Sequence, residues 1–180
     1  MSAARAARLF DAIATAGHPA LDRAVRAQAH APAEVGREVA GALRAAGISE
    51  QPRISDLVLA LALLWHDRFE QAHALVQSRE GDADADFLHA LLHRREGDYG
   101  NAKYWWREVG EHATFPALAA WAAGHGIPAL RQDGTFDAGK LVDEVRRACA
   151  GSRPEEPLIQ MQRAEFAALC AHLIAFPGAG

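Results

Sequence analysis

The sequence has few of the features that mark membrane, secreted or nucleic-acid-binding proteins. It holds two cysteines in 180 residues, which indicates neither a disulfide framework nor a cysteine metal site. Its longest apolar run, residues 57–65, is too short to span a bilayer, and the N-terminal stretch lacks the apolar segment of a signal peptide. A formal net charge of −4 argues against a broad nucleic-acid surface. These absences predict a cytoplasmic protein that binds neither nucleic acid nor a membrane.

Strand patterning is also missing, because no window alternates apolar and polar residues with β-branched enrichment. Half of the residues are hydrophobic and many of these are alanine, which favours helix and lets helices approach closely. Apolar spacing, with glycine and proline as punctuation, predicts helices over about residues 3–16, 19–28, 31–46, 84–96, 99–112, 115–124, 137–150 and 155–175. Two more are predicted between these, one that begins at Ser55 and is apolar over residues 57–65, and one that follows Asp67 and carries Ala72, Leu75 and Val76.

This pattern predicts an all-α fold: a compact bundle of about 8–10 helices in a single domain, residues 1–180. Residues 1–50 are interpreted as N-terminal capping helices, 55–113 as a pair of helix-turn-helix repeats and 114–176 as C-terminal helices. The 57–65 segment is apolar on every side, which is typical of a helix in the middle of a bundle.

Three side chains are predicted to cap helices. Ser55 is expected to begin the apolar helix, and Asp67 the next one, with Glu70 in capping-box register. Gly97 is expected to end a helix in the left-handed conformation, and Asp98 to cap the helix that follows.

An internal repeat relates residues 57–76 to residues 87–106 at a shift of thirty. Phe69 corresponds to Tyr99 and Ala72 to Ala102, so that each copy reads as helix, tight turn, helix. The Gly-Asp-Tyr-x-x-Ala turn resembles the tetratricopeptide repeat. Two copies are fewer than a free-standing solenoid needs, so the flanking helices are expected to cover them.

The segment "LHALLHRREGDYGNAKYWWREVGEH", together with "LLWHDRFEQAH" and "IQMQRAEFAALC", resembles a family of uncharacterised bacterial and fungal proteins of about this size. The shared core is His-x-x-x-His-Arg-Arg-Glu-Gly-Asp-Tyr-x-Asn-Ala-x-Tyr-Trp, and the resemblance spans roughly residues 56–170. It implies membership of a single-domain family and supplies no mechanism.

The residue types that carry chemistry are concentrated on one predicted helix. Asp86, His89, His93 and Glu96 lie within about an 80° sector of its surface. His89 and His93 have the i, i+4 spacing with which two imidazoles reach one metal, and Glu96 is a candidate third ligand. In the repeat alignment, His66 corresponds to Glu96 and is expected on the neighbouring helix. The same residues also fit a solvated face, hydrogen-bonded core histidines, or local His–carboxylate pairs. The sequence leaves these alternatives open.

The aromatic residues near the repeat turn allow two interpretations. Tyr99, Trp106 and Val109 share a helical stripe that is typical of an inner face. Tyr104 and Trp105 point elsewhere, either into the core or towards an aromatic pocket with nearby arginines, which would suit a planar or anionic ligand.

Two hypotheses for the function follow. The preferred one is a non-enzymatic module for protein interaction or self-association, without a cofactor, which predicts an exposed apolar or aromatic patch. The alternative is a small-molecule or metal-binding protein, with hydrolysis as its reaction class and a divalent metal as its cofactor. The candidate residues for that site are His66, His89, His93, Glu96, Arg94, Tyr104 and Trp105.

Overall fold

The computed structural model describes residues 3–48, 51–152 and 155–175. Over these residues the chain is all-α, as predicted, and has nine helices. The helices are α1 Ala3–Ile13, α2 Pro32–Ala45, α3 Pro52–Trp65, α4 Phe69–Gln77, α5 Ala83–Glu96, α6 Tyr99–Val109, α7 Phe115–Gly124, α8 Ala138–Cys149 and α9 Glu156–Ala175. Within these ranges, none of the helices combines the length and the apolar character needed to cross a membrane.

Two helices, α3 and α5, form the centre of the fold. α3 packs against α2, α4, α5 and α9, and α5 packs against α3, α4 and α6. The burial of α3 confirms the prediction from its apolar surface. α5 is different, because residues 84–95 are all buried although they include aspartate, histidine and arginine. Buried charges of this kind require partners, which other elements provide.

The α3–α4 and α5–α6 pairs are two consecutive helical hairpins in the region of the predicted repeat. The turn chemistry of the second hairpin is confirmed. Gly97 ends α5 at φ 79°, and the Asp98 carboxylate accepts a hydrogen bond from the Asn101 N–H at the start of α6. Whether the two hairpins follow the tetratricopeptide geometry stays a prediction.

The helix predicted over residues 19–28 is wrong, because residues 14–31 form an irregular loop. In such a helix, the backbone carbonyl oxygens would accept hydrogen bonds from N–H groups of the same segment. Here several of them accept hydrogen bonds from side chains of other elements. Gln162 donates to Pro19 and Ala20, and Arg95 donates to Ala20 and Asp22. These tertiary bonds override the helical propensity of the segment.

The predicted caps at Ser55 and Asp67 are also wrong. α3 already begins at Pro52, a favoured residue for a first helical turn, so that Ser55 lies inside the helix. α4 begins at Phe69 after Arg68, with no side-chain cap. Asp67 instead stands in the left-handed region at φ 60°, and its carboxylate is occupied elsewhere.

The Asp67 carboxylate holds two arginines. Arg95 donates to its Oδ1 at 2.7 Å, and Arg26 donates to its Oδ2 through Nε at 2.8 Å and through its backbone N–H at 3.0 Å. The side chains of Asp67 and Arg95 are fully buried. Burial acts to raise the pKa of Asp67, but the hydrogen bonds from Arg26 and Arg95 outweigh it and hold that pKa below its usual range. Burial lowers the pKa of Arg95 to about 10, so this pair stays ionised at neutral pH.

Asp67→Asn should lower the free energy of unfolding by about 3–5 kcal/mol, because it leaves a buried guanidinium without its counter-charge. Asp143→Asn is the matched control, since the Asp143–Lys103 pair is more than one-third exposed on both sides and such pairs contribute about 1 kcal/mol or less. Urea unfolding at neutral pH measures both changes. Equal losses in the two variants would contradict the role assigned to Asp67.

The depressed pKa of Asp67 also predicts how stability depends on pH. A carboxylate of this kind stabilises the fold above its unfolded pKa of about 3.9, and this contribution is lost as the pH falls through the folded value. The difference in unfolding free energy between the wild type and Asp67→Asn should therefore be constant near neutral pH and shrink below about pH 4. Urea titrations at a series of pH values test this, and a difference that does not change with pH is the opposing result.

Candidate functional site

Histidine and carboxylate side chains converge at three places in the described part of the chain. Each group offers three ligand atoms that all lie within 4.8 Å of one another. The groups are Asp84, His112 and His172; His73, His89 and His93; and His30, Glu38 and His66. The three groups differ in access, in hydrogen bonding and in the orientation of their rings.

The first group, the cavity cluster, consists of Asp84, His112 and His172. Asp84 lies in the first turn of α5, His112 follows α6, and His172 lies in the last turns of α9. All three line one cavity of about 650 Å³. The remaining walls of the cavity are Arg53, Ser78, Arg79, Glu80, Gly81, Asp82, Ala83, Glu111 and Ala113.

One carboxylate oxygen of Asp84 lies close to both imidazoles of the cavity cluster. Its Oδ1 is 2.9 Å from Nε2 of His112 and 3.3 Å from Nε2 of His172. The two rings are inclined to each other by 62°, with their centroids 4.9 Å apart. Two imidazole nitrogens therefore approach the same carboxylate oxygen on the cavity wall.

Further hydrogen bonds fix the orientation of these groups. Arg53 donates to Asp84 Oδ2 at 2.7 Å and also binds both oxygens of Asp82, the residue that caps α5. On the far side of its ring, Nδ1 of His112 lies 2.8 Å from the hydroxyl of Thr114. The cavity cluster is thus held by a second layer of side chains.

Burial and hydrogen bonding set the charge of the cavity cluster. Burial acts to raise the pKa of Asp84, but hydrogen bonds from His112 and Arg53 outweigh it and lower that pKa. Burial lowers the pKa of His172, against the attraction of Asp84. The carboxylate is therefore ionised and the His172 imidazole is neutral at neutral pH, the forms in which both residues bind metals.

The second group, the histidine stack, consists of His73 on α4 and His89 and His93 on α5. The ring centroids are 4.8 Å apart for His73 and His89, 5.4 Å for His73 and His93, and 4.9 Å for His89 and His93. Trp105 of α6 covers the stack, with its ring 3.9 Å from that of His89 and nearly parallel to it. The two α5 histidines are buried, so they do not belong to a solvated face.

His89 has an unpaired polar atom in the histidine stack. Its Nδ1 is buried and has no hydrogen-bond partner among the residues that the structure describes. Burial, together with the neighbouring His93 and His73, lowers the pKa of His89 to about 3, so the ring is neutral over the ordinary pH range. Nδ1 of His93 lies 3.1 Å from Glu96, the local pair that the sequence left open, and its Nε2 lies 3.1 Å from the Asn101 amide.

The structure places His66 apart from the histidine stack, in the third group. Its ring stacks on His30 at 4.7 Å, Nε2 lies 3.1 Å from the carbonyl oxygen of Ile13, and Nδ1 accepts the His30 N–H at 3.2 Å. Both ring nitrogens are thus satisfied by backbone groups, and His66 ties loop 14–31 to the end of α3.

The other predicted site residues do not all lie at one site. Arg94 is buried and binds both carboxylate oxygens of Glu165 on α9, away from the histidines. Glu96 contacts the histidine stack through His93, and Trp105 contacts it through His89. Tyr104 is 44% exposed and lies edge-on to Trp105. Of the predicted set, the structure brings together His89, His93, Glu96 and Trp105.

Sequence reasoning missed His73 and the whole cavity cluster. The members of that cluster are 28 and 60 residues apart, so no spacing motif connects them. His73 belongs to the predicted repeat region, but its counterpart at a shift of thirty is Lys103, which gives no metal signal. Only the packing of α4 on α5, and of α9 near the start of α5, brings these side chains together.

The described surface offers little large apolar area of the kind that the interaction hypothesis predicts. The large hydrophobic side chains exposed on it are Val25, at 60%, and Tyr104, at 44%. They lie in the 14–31 loop and on α6. Isolated exposed apolar residues of this kind are normal on globular proteins.

His66→Leu should lower the free energy of unfolding by about 1–3 kcal/mol, because it leaves the His30 N–H and the Ile13 carbonyl without partners. His125→Leu is the control, since His125 is exposed and surface changes stay within roughly 0.5 kcal/mol. Urea unfolding compares the two variants. Similar stabilities would mean that the hydrogen bonds of His66 do not hold the loop.

The described residues therefore offer an open cluster on a cavity wall and a covered histidine stack, both built on α5. A third, fully bonded histidine has a structural role. Comparisons with protein-family models, with curated proteins and with solved structures find no match to this chain.

Proposed function

We propose that this protein binds a divalent transition-metal ion at the cavity cluster, with Asp84, His112 and His172 as its ligands. The observation that carries the proposal is the approach of both Nε2 atoms to Oδ1 of Asp84, at 2.9 and 3.3 Å, on the wall of a cavity. Metal binding is the second of the two hypotheses from the sequence, but the ligands proposed here differ from the residues that the sequence indicated.

The two nitrogen–oxygen distances, 2.9 and 3.3 Å, fit an ion that binds both imidazoles and the carboxylate. Metal–ligand bonds of about 2.1 Å at angles between 90° and 110° place neighbouring ligand atoms roughly 3.0–3.4 Å apart. The inclination of the two rings also lets their in-plane lone pairs converge, which parallel rings would not permit. The ion must displace the proton that Nε2 of His112 donates to Asp84.

The hydrogen bonds around the cluster hold its side chains in place. A metal at Nε2 of His112 requires the proton on Nδ1, where it faces the Thr114 hydroxyl 2.8 Å away. The Thr114 N–H, which donates to Nδ1 at 3.3 Å, must then move aside. Arg53 holds the other oxygen of Asp84. Metal-binding histidines and carboxylates commonly have such outer partners, which fix the tautomer and the orientation.

The cavity supplies access for a second ligand. Two imidazoles and one carboxylate on one side of an ion leave positions for water or a small molecule, as in catalytic zinc and non-haem iron sites. A cavity of about 650 Å³ falls in the range of small-molecule sites. Arg79 and Glu80 are among the charged groups of its walls, so a polar ligand suits it best.

The interaction-module hypothesis has less specific support. It requires an anchor of clustered large side chains at the surface, and the large exposed hydrophobics of the described surface are Val25 and Tyr104. The cavity cluster instead offers a defined set of ligand atoms, and we therefore rank metal binding first.

The test is metal stoichiometry in untagged protein that has been stripped with a chelator, dialysed against Zn²⁺ and analysed by elemental mass spectrometry. His172→Ala should remove one ion per chain or weaken its binding at least tenfold, because it deletes one of three protein ligands. His172 is suited to this test, because it lies at the partly exposed end of the cluster. Asp84→Asn should have the same effect if circular dichroism shows that the variant folds.

His125→Ala is the matched control, because His125 is exposed, directly follows α7 and does not line the cavity. It should leave the number of bound ions unchanged. An unchanged number and affinity of bound ions in folded His172→Ala would overturn the proposed site. An equal loss in His125→Ala would indicate adventitious binding to surface histidines.

A further inference from the structure

We infer that the histidine stack is a second metal site, in which one ring nitrogen from each of His73, His89 and His93 binds a divalent ion. The juxtaposition that carries this inference is three imidazoles from two helices, with ligand atoms within 4.8 Å of one another. One of these rings has a buried nitrogen without a hydrogen-bond partner in the described part of the chain. The inference does not depend on the cavity cluster, which shares none of its ligands.

The unpaired atom is Nδ1 of His89. Buried polar atoms without a partner are rare in folded proteins and commonly indicate an absent water or ion. His89 is 2% exposed. Its ring contacts the aromatic rings of His73, His93 and Trp105. The histidine rings and the Trp105 indole carry N–H groups, but the indole lies nearly parallel to His89, and Nδ1 has no hydrogen-bond partner among the described residues. An ion shared by the histidines satisfies the nitrogen.

Glu96 supports the inference as a positioning residue. Its carboxylate lies 3.1 Å from Nδ1 of His93, which leaves Nε2 as the nitrogen available for an ion. A carboxylate bound to the outer nitrogen of a histidine fixes the tautomer and strengthens the ligand, and loss of such a partner weakens metal affinity 10–100-fold. Glu96, proposed from the sequence as a third ligand, is thereby assigned to the outer layer.

Binding requires two local movements. Nε2 of His93 lies 3.1 Å from the Asn101 amide, which the ion must displace. The rings of His89 and His93 are inclined by only 19°, so one of them must turn before both point at the same ion. Rotation about the terminal torsion of histidine is soft, and His73, at 68° and 78° to the other two rings, needs no such turn.

The donor set defines the kind of ion. Three imidazoles without a carboxylate ligand suit Zn²⁺, Cu²⁺ or Ni²⁺ and disfavour Mg²⁺ and Ca²⁺, which prefer oxygen. The site is also covered, because Trp105 lies over His89 and His89 and His93 are buried. A covered, all-nitrogen site indicates tight retention of the ion, in contrast to the accessible cavity cluster.

The decisive experiment counts Zn²⁺ ions per chain by elemental mass spectrometry after equilibrium dialysis of untagged, metal-stripped protein. The wild type should bind two ions, His89→Ala one, His172→Ala one, and the double variant none. Because His89→Ala opens a space beneath Trp105, His73→Ala serves as a second variant. His73 is only half-buried, and the expected loss is again one ion.

Glu96→Gln and Glu70→Gln form a matched pair. Both glutamates contact Arg23, but only Glu96 contacts His93. Glu96→Gln should weaken Zn²⁺ binding 10–100-fold at the site that survives in a His172→Ala background, because the outer partner is weakened. Glu70→Gln in the same background should leave the affinity unchanged.

Two results would overturn the inference. One is a wild-type protein that binds a single ion, which His172→Ala removes. This result would support the cavity site and would mean that the histidine stack only packs in the core. The other is folded His73→Ala and His89→Ala variants that retain both ions. Conversely, loss of an ion in His89→Ala but not in His172→Ala would contradict the cavity site and support the histidine stack.

Discussion

The arrangement of this fold depends most on the ion pairs that the Asp67 carboxylate forms. It lies in the turn between α3 and α4 and binds Arg95 from the end of α5 and Arg26 from the 14–31 loop. A buried carboxylate between two arginines fixes three separate chain segments at once, because removal of any member leaves an uncompensated charge in a poorly solvating interior. Arg94, the residue before Arg95, binds Glu165 on α9, so two adjacent arginines attach α5 to two different parts of the molecule.

The charged anchors at the end of α5 allow this helix to be buried along its length although it is not apolar. The same helix then carries both proposed sites. Asp84 lies in its first turn, and His89 and His93 follow five and nine residues later, which is roughly 8–14 Å along the axis. The helix provides the shared scaffold, and each site is completed by different neighbours: α9 and the segment after α6 for the cavity cluster, and α4 with α6 for the histidine stack.

Burial has opposite consequences for the acids and the imidazoles in these sites. It lowers the pKa of His89 to about 3 and leaves a neutral ring with a free lone pair. The same desolvation acts to raise the pKa of Asp84, but hydrogen bonds from His112 and Arg53 outweigh it and lower that pKa. Neutral imidazoles and ionised carboxylates are the forms that bind metals, and His89 and Asp84 are in these forms at neutral pH.

The sequence by itself determined the helical class, most helix boundaries, the Gly97–Asp98 turn and the central position of α3, because these follow from local propensity and from periodicity along one helix. It also marked His89, His93, Glu96 and Trp105 as neighbours, since they lie on adjacent helices of one hairpin. Only the tertiary structure decided the rest. The 14–31 segment is a loop because distant side chains occupy its carbonyl groups, and Asp67 is an ion-pair partner instead of a cap. His66 is separated from the other histidines, and Asp84, His112 and His172 meet although 28 and 60 residues divide them. Such contacts depend on which helix surfaces pack together, and the spacing of residues along the chain does not determine this packing.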